Sequence, residues 1–440
     1  MNGRTAGSTR RAVAVTVAAL LTVAVLAVWA VACGAAQPAG STAAGGPTAT
    51  TTSAATGGPT ATSQPRPSTS TSATTTSTTE ISPVQAVLEQ MTLREKAAQV
   101  LLLAFDGTTM QPATKDLLLE SPPGGLLLLS RNVTGATQLR SLCDELQQAA
   151  LDGGAPIGLF IAADQEGGPV QRIHSGLPRI PAARALGDEG SLVQTRKLAA
   201  ETAAGLLSLG VNMNLAPVAD VVSDPTSFLY ERTYGGDPIL VSDFVGAVTD
   251  TFVQNGLVAA VKHFPGHGSA PGDTHGAVVV TDTSEYDFAT IHLRPFKAAL
   301  AAGVDCVMMA HIVANAYDPD APASLSRAVI DDVLRGGLDF SGVVIADDLE
   351  MAGVAEVWAG GAGTESDPGE LAVLALEAGC DLLISTGILP RQTAMIDAIV
   401  EAVDSGRLSQ DRLDEAVGRI VEVKTRHGIG VSQPSGPSAE

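Results

Sequence analysis

From Ile81 onward, short apolar runs alternate with longer amphipathic stretches, and no other feature of the sequence restricts the fold as much. The stretches between the runs have helical spacing and readable ends, such as the capping aspartate and first-turn proline of DPGE at 367–370. Repeated strand–helix units over about 350 residues predict an α/β fold, a single (β/α)8 TIM barrel. An open doubly wound sheet is the alternative, but the first strand–helix turn has no phosphate-binding glycine fingerprint. The eight predicted strands are Gln99–Ala104, Gly125–Leu129, Gly158–Ala163, Asn212–Ala216, Val258–Lys262, Asp305–Ala310, Val343–Ala346 and Asp381–Ser385.

The first 32 residues have the composition of an export signal. Three arginines are their only charged residues, and an uninterrupted apolar run follows from Ala12 to Ala32. This order predicts a secretory signal peptide over residues 1–32. The run ends in AVACG, which resembles the lipobox of bacterial lipoproteins and implies cleavage before Cys33 and lipid on its thiol. An uncleaved signal anchor and an ordinary cleaved signal are the alternatives.

Residues 33–80 consist mainly of Ser, Thr, Ala, Gly and Pro and cannot supply a hydrophobic core. We therefore expect a disordered tether over 33–80, a folded domain over 81–430 and a disordered tail over 431–440. The expected location is the outer face of the cytoplasmic membrane or the cell surface, with a lipid on Cys33 as the anchor. We expect the folded domain to be a monomer.

Charge and cysteine content limit the partners of the chain. It has 47 acidic against 26 basic side chains, and loss of the signal peptide would remove three of the basic ones. Such an excess of negative charge disfavours nucleic acid and direct docking on anionic lipid, so membrane contact is expected only through the lipid anchor. Cys143, Cys306 and Cys380 lie in apolar or helical surroundings and are expected to be buried thiols, with one disulfide possible.

Polar motifs directly follow predicted strands 3 to 7. In chain order they are AADQEGG, APVAD, KHFPGHG, AHIVAN and ADDLEM. Catalytic residues of a (β/α)8 barrel come from the carboxyl ends of its strands, so these side chains are expected to meet at one mouth of the barrel. Packing alone would not concentrate polar residues at one end.

The segment from Lys262 to Gly276 contains three of the seven histidines of the chain. His263 and His267 have the spacing of a helical zinc pair, but Pro265 and the glycine after it prevent the helix that would align the two rings. We therefore expect no catalytic metal and no cofactor, and a metal-dependent hydrolase remains an alternative that sensitivity to chelators would reveal.

Asp273 and His275 lie two residues apart in the loop PGDTHG. In an extended conformation their side chains leave the backbone on the same side, so the carboxylate can help to keep the imidazole protonated. A protonated imidazole at a barrel mouth can donate a proton to a leaving group. The structural alternative is a turn in which the aspartate caps the backbone and the histidine is solvated.

A carboxylate nucleophile would complete such a site. Asp347 ends the apolar run GVVIA and is therefore placed at a strand tip, whereas Asp348 should point towards the barrel wall or the following helix. Two consecutive aspartates can also simply begin a helix. We interpret Asp347 as the nucleophile.

These motifs together carry a family resemblance. KHFPGHG and the Asp-x-His loop, with DQEGG, ERTYGGDP, AHI and DDLEM, resemble glycoside hydrolase family 3 and within it the β-N-acetylglucosaminidase branch. The resemblance extends from about Ser82 to Gly428. It implies retaining hydrolysis, with Asp347 forming a glycosyl-enzyme while His275, assisted by Asp273, protonates the leaving oxygen and then activates water.

The same resemblance implies a set of residues that bind the N-acetylglucosamine unit. His311 and Asp220 are weaker candidates, and His267 is interpreted as shaping the loop. One departure is Pro169, which stands where the family usually has arginine and affects the details of the loop after strand 3. The implied sugar-binding residues are Asp164, Arg172, Arg232, Lys262 and His263.

Low aromatic content narrows the substrate. Beyond the signal peptide the chain has a single tryptophan, Trp358, and only four tyrosines, whereas long polysaccharide grooves stack sugars on rows of aromatic rings. We expect an exo-acting enzyme that removes terminal β-linked N-acetylglucosamine from cell-wall peptidoglycan fragments. A β-glucosidase or β-xylosidase of the same family, and a non-catalytic sugar-binding surface lipoprotein, are the alternatives. Phosphate as an acceptor in place of water also stays open.

Overall fold

The computed structural model describes residues 82–354 and 366–430. The predicted signal peptide, the lipid site at Cys33, the tether and the tail lie outside the described residues, and so does Trp358. Within the described ranges, no helix combines the length and the apolar character needed to cross a membrane.

In the described part of the chain, eight parallel strands form a closed barrel in which each strand pairs with its neighbours in sequence and the last pairs with the first. The prediction of a single (β/α)8 TIM barrel is thereby confirmed. Helices cover the outside, so the strands are buried on both faces, which explains why they read as continuous apolar runs. The strands are β1 Leu101–Ala104, β2 Gly125–Leu128, β3 Phe160–Ala163, β4 Met213–Asn214, β5 Val258–Phe264, β6 Cys306–Met309, β7 Val343–Ala346 and β8 Leu382–Ser385.

The helix predicted from DPGE begins at its capping aspartate, and another helix begins with a similar local cap. Asp367 accepts hydrogen bonds from the backbone N–H groups of Gly369 and Glu370, and Pro368 occupies the first turn. Thr92 and Glu95 form a reciprocal capping box at the start of another helix. The longer helices are Pro83–Leu88, Leu93–Gln99, Pro112–Glu120, Ala136–Asp152, Ala183–Glu189, Leu192–Ser208, Pro238–Gln254, Leu293–Ala301, Ala328–Gly337, Pro368–Ala378, Leu389–Asp404 and Gln410–Arg426.

Two small sheets outside the barrel shape its carboxyl end. After β3, Gln165–Gly167 and Val170–Gln171 form an antiparallel ribbon, with Pro169 exposed at its turn. After β5 and β6, Val279–Thr281 pairs in parallel with Ile312–Ala314. This second pair fixes the far end of the long loop that contains Asp273 and His275.

The three cysteines of the described region are buried and form no disulfide with one another. Burial raises the pKa of the Cys143 thiol to about 12 and raises those of Cys306 and Cys380 as well. The expectation of buried thiols is met, and the disulfide that the sequence left open does not form among them.

Candidate active site

The loop after β3 supplies two carboxylates to the barrel mouth. Asp164 and Glu166 flank Gln165, whose backbone N–H and carbonyl are both hydrogen-bonded by the side-chain amide of Asn214 on β4. The side chain of Gln165 in turn accepts the backbone N–H of Arg172 at 3.1 Å and so fixes the returning strand of the ribbon. Since alternate residues of an extended chain leave on the same side, Asp164 and Glu166 act as a pair.

Lys262 lies within β5, and its ammonium group joins the two carboxylates. Its Nζ is 2.7 Å from Asp164 Oδ1 and 2.7 Å from Glu166 Oε1. Burial would lower the pKa of Lys262, but the two carboxylates outweigh it and raise that pKa. The residue is therefore a fixed cation that can donate to a bound hydroxyl.

Glu166 also receives a two-pronged hydrogen bond from Arg232, with Nε and Nη2 each 2.8 Å from a carboxylate oxygen. Burial pushes the pKa of Glu166 upwards, yet Lys262 and Arg232 lower it to about 2. The sequence interpretation missed Glu166. Its position two residues after Asp164 in DQEGG was the available signal, but its cationic partners come from distant parts of the chain.

Arg172 is the cation of the site with an unsatisfied donor. Its Nη2 lies 3.4 Å from Asp164 Oδ2, whereas its buried Nε has no hydrogen-bond partner in the part of the chain that the structure describes. A buried N–H left without a partner costs free energy. Because this atom is also closed to solvent, the guanidinium would have to shift before a substrate hydroxyl or water could reach Nε.

His263 is oriented by a buried carboxylate. Its Nδ1 donates to Asp220 Oδ2 at 2.7 Å, and Asp220 Oδ1 also accepts the backbone N–H of Gly268 at 3.3 Å. Burial would raise the pKa of Asp220, but His263 outweighs it and the pKa is lowered. Asp220, a weaker candidate for sugar binding, instead holds His263, whose Nε2 is left for other partners.

Asp347 lies at the tip of β7 and lines the mouth of the barrel. Its Oδ1 accepts the backbone N–H of Asp348 at 2.8 Å. Burial would raise the pKa of Asp347, but His263, His311 and Lys262 lower it below its ordinary value. The carboxylate is therefore ionised at neutral pH, as a nucleophile must be.

The neighbouring Asp348 has a different environment. Its carboxylate accepts the backbone N–H of Thr386 at 3.0 Å and that of Glu350 at 3.2 Å, and it also contacts the Thr386 hydroxyl. Burial raises its pKa. Adjacent carboxyl groups with pKa values shifted in opposite directions are typical of sites where the two have different roles.

His311, the other weaker candidate for sugar binding, is completely buried beneath this turn. Its Nε2 donates to the carbonyl of Asp348 at 3.0 Å, and its Nδ1 lies 2.6 Å from the Ser324 hydroxyl. Burial lowers its pKa. The side chain supports the tip of β7 and is not among the residues that line the cavity.

Asp273 and His275 form a hydrogen-bonded pair in the long loop after β5. Nδ1 of His275 donates to Asp273 Oδ1 at 2.6 Å, and the backbone N–H of His275 donates to the same oxygen at 3.0 Å. Partial burial would raise the pKa of Asp273, but these donors lower it. The aspartate-capped turn, which the sequence analysis gave as the structural alternative to an acid/base pair, is present. The same geometry also brings the two side chains together as a hydrogen-bonded pair.

A cavity of about 250 Å³ brings these groups together at the barrel mouth. A larger depression of about 590 Å³, around Arg407 and Arg412, is bordered by ion pairs. Asp273 reaches the cavity only through His275, and Pro169 does not line it. The predicted site residues that do line it are Asp164, Arg172, Arg232, Lys262, His263, His275 and Asp347.

The described residues contain no group of three or more His, Cys, Asp or Glu side chains arranged to hold a metal ion. His263 and His267, which have the spacing of a zinc pair, have ring centroids 6.0 Å apart. Nδ1 of His263 is bound to Asp220, and Nε2 of His267 lies 3.2 Å from the Thr274 hydroxyl.

Comparisons with known proteins match this chain to one family. The family model described as the glycosyl hydrolase family 3 N-terminal domain matches residues 92–423. A β-hexosaminidase of Pseudomonas aeruginosa is 34% identical over 287 residues, which are 64% of this chain and 80% of the relative.

Superpositions on solved structures agree with this family match. A family 3 β-N-acetylglucosaminidase from Paenibacillus sp. FPU-7 superposes with a TM-score of 0.73 at 36% identity; the match covers 79% of this chain and 65% of that enzyme. A β-N-acetylhexosaminidase from Beutenbergia cavernae superposes with a TM-score of 0.68 at 30% identity, covering 76% of this chain and 99% of that one. The chain therefore belongs to glycosyl hydrolase family 3 and is a glycoside hydrolase.

Proposed function

We propose that the protein is an exo-acting, retaining β-N-acetylglucosaminidase that releases terminal β-linked N-acetylglucosamine from cell-wall peptidoglycan fragments. The observation that carries this proposal is that Asp347 and His275 line one small cavity together with carboxylates and cations that ion pairs hold in place. A cavity of this size suits one terminal sugar. The names of the relatives, β-hexosaminidase and β-N-acetylglucosaminidase, support the acetamido sugar.

In the first step, a carboxylate oxygen of Asp347 attacks the anomeric carbon. The bond to the leaving oxygen breaks, and that oxygen takes a proton from the imidazolium of His275. Asp273 stabilises the imidazolium through the 2.6 Å hydrogen bond to Nδ1, which leaves Nε2 to transfer the proton. The product of this step is a glycosyl ester on Asp347.

In the second step, neutral His275 takes a proton from water, and the resulting nucleophile attacks the anomeric carbon. The ester bond breaks and returns Asp347 as a carboxylate, with retention of configuration. The predicted sugar-binding residues would bind the sugar hydroxyls throughout; they are Asp164, Arg172, Arg232, Lys262 and His263. Charged partners are suited to this because their hydrogen bonds are stronger than those between neutral groups.

The test is the initial rate of the purified chain on an aryl β-N-acetylglucosaminide and on the matching β-glucoside and β-xyloside. We expect a strong preference for the acetamido sugar, and replacement of Asp347 by asparagine should reduce the rate to background. Exposed Asp116 provides the matched control, since Asp116→Asn should leave the rate unchanged. Preference for the glucoside or xyloside would contradict the proposed substrate, and a folded chain inactive on all three would favour the sugar-binding lipoprotein.

We also propose that the exported chain is held at the cell surface by lipid on Cys33, as a monomer. The support is the order of arginines, apolar run and small residues before Cys33 in the sequence. In cells that express the full chain, mass spectrometry of the mature protein should find Cys33 as the first residue, with acyl chains on its peptide, and a Cys33→Ser variant should carry none. A mature chain with an unmodified Cys33 would contradict the lipid anchor.

A further inference from the structure

Thr274 lies between Asp273 and His275 but has the opposite exposure. The side chains of Asp273 and His275 are 47% and 65% exposed, whereas Thr274 is 2% exposed. Within the stretch 271–277, Thr274 is buried and the other residues are exposed. The loop thus turns one hydroxyl inward while it presents the two acid/base groups outward.

The buried threonine is bound from two sides. Its Oγ1 lies 3.2 Å from Nε2 of His267, and its carbonyl accepts the backbone N–H of Gly353 at 2.9 Å. His267 follows β5, which carries the sugar-binding Lys262, and Gly353 follows the nucleophile at the tip of β7. Thr274 therefore connects the acid/base loop to both of the other parts of the site.

Gly353 leaves the space that this contact needs. A Cβ atom at position 353 would lie 2.7 Å from the carbonyl oxygen of Thr274 and 3.0 Å from that of Ala277. Both neighbours are backbone atoms, so any side chain at 353 would displace the loop. The glycine does not have a positive φ, and its small size is therefore the property that matters.

His267 is well suited to be the fixed end of this contact. It is buried and burial lowers its pKa, so the ring is neutral near pH 7. Its Nδ1 has no hydrogen-bond partner among the described residues, which leaves the contact with Thr274 as the polar contact of its side chain. The Phe228 ring packs edge-on against both His267 and His275, with centroid distances of 5.2 Å and 6.4 Å.

We propose that Thr274 is a positioning residue that holds the Asp273–His275 pair in place relative to Asp347, with His267 and Gly353 as its two attachment points. This inference rests on the function proposed above and specifies how its acid/base pair is held. An exposed loop rich in Gly and Pro has many alternative conformations. Without its buried attachment, His275 would spend less time within reach of the leaving oxygen.

The predicted defect is selective, because only proton transfer depends on this positioning. Departure of 2,4-dinitrophenolate needs no proton, whereas departure of phenolate does. In the full chain, Thr274→Val should lower kcat/KM for phenyl β-N-acetylglucosaminide by about tenfold or more, a part of the typical acid/base contribution of about 10²–10⁴. The 2,4-dinitrophenyl substrate should change by less than about threefold, and Thr274→Ser, which keeps the hydroxyl, should restore the rate on the phenyl substrate.

Gly353→Ala provides an independent variant, since it displaces the same loop from the other side. It should reproduce the selective loss on the phenyl substrate. Gly276→Ala is the matched control, because a Cβ at position 276 would meet no atom within 4 Å, and this variant should behave like the wild type.

Equal losses on both substrates, or no loss in Thr274→Val, would overturn the positioning role while leaving the proposed function intact. A Gly276→Ala variant as impaired as Gly353→Ala would also overturn it, since any change in the loop would then suffice. A wild-type chain inactive on both substrates would instead contradict the proposed function itself.

Discussion

At the scale of single residues, environment distinguishes side chains that are identical in the sequence. Asp347 and Asp348 are adjacent, yet two neighbouring histidines and Lys262 lower the pKa of the first, and burial raises that of the second. Alternation of side chains along a strand predicted that Asp347 alone faces the mouth, but both aspartates line the cavity there, and their hydrogen-bond partners distinguish them. Their partners, His311 and Thr386, come from other strands and could not be derived from the sequence around them.

Glu166 is a residue of the site that the sequence analysis omitted. Asp164, Arg172, Arg232, Lys262 and His263 were predicted to share a site, and they line one cavity. Glu166 was omitted although its side chain, 3% exposed, joins two of those cations. Its importance depends on Lys262 and Arg232 arriving at the same point, which only the closed barrel brings about.

Replacement of Glu166 by glutamine should destabilise the fold, because it leaves Lys262 and Arg232 buried beside each other without the shared anion. Removing one partner of a buried ion pair typically costs about 3–5 kcal/mol in the free energy of unfolding. Urea unfolding at pH 7 measures it. Glu415→Gln, at a half-exposed position on the last helix, is the control and should change stability by less than about 1 kcal/mol.

The stabilities of the wild type and of Glu166→Gln should respond differently to a fall in pH. The folded pKa of Glu166 is about 2, below the ordinary value of 4.5, so its contribution to stability is complete above pH 4.5 and is lost as the pH falls towards 2. The wild type should therefore lose more stability than Glu166→Gln across this interval. Parallel losses in the two proteins would contradict the assigned ion pairs.

At the scale of elements, the apolar runs located every strand and both ends of β7, but not both ends of the other strands. The fourth strand was predicted over Asn212–Ala216 and is only Met213–Asn214, although the backbone N–H groups of Asn212 and Leu215 still donate to carbonyls of β3. The fifth runs on to Phe264, so Lys262 and His263 lie within the strand. Position within a rigid strand fixes these two side chains better than a loop would.

The helix starts were more predictable, because capping is local. Asp367→Ala removes the acceptor for the N–H groups of Gly369 and Glu370 and should lower the free energy of unfolding by about 0.5–2 kcal/mol. Asp367→Asn keeps an oxygen acceptor and should be nearly neutral. Denaturant titration of the three proteins provides the measurement, and an equal effect of both substitutions would argue against the cap.

At the scale of the whole molecule, the two ends of the barrel have different roles. The carboxyl ends of the strands carry the site, while at the other end Asp381, just before β8, binds Arg335, Arg412 and Arg419. This division is general in barrels of this kind. It explains why the sequence could predict the location of the chemistry from strand order alone, whereas the lipid anchor and the tether stay predictions.

Trapping the glycosyl-enzyme tests directly whether Asp347 is the nucleophile. The purified chain would be incubated with a 5-fluoro N-acetylglucosaminyl fluoride, whose covalent intermediate turns over slowly, and its peptides would be analysed by mass spectrometry. We expect one sugar on the peptide that contains Asp347, located on that carboxylate by fragmentation, and no label in Asp347→Asn. A sugar on Asp348, or an active enzyme that is never labelled, would contradict the assignment of Asp347 as the nucleophile.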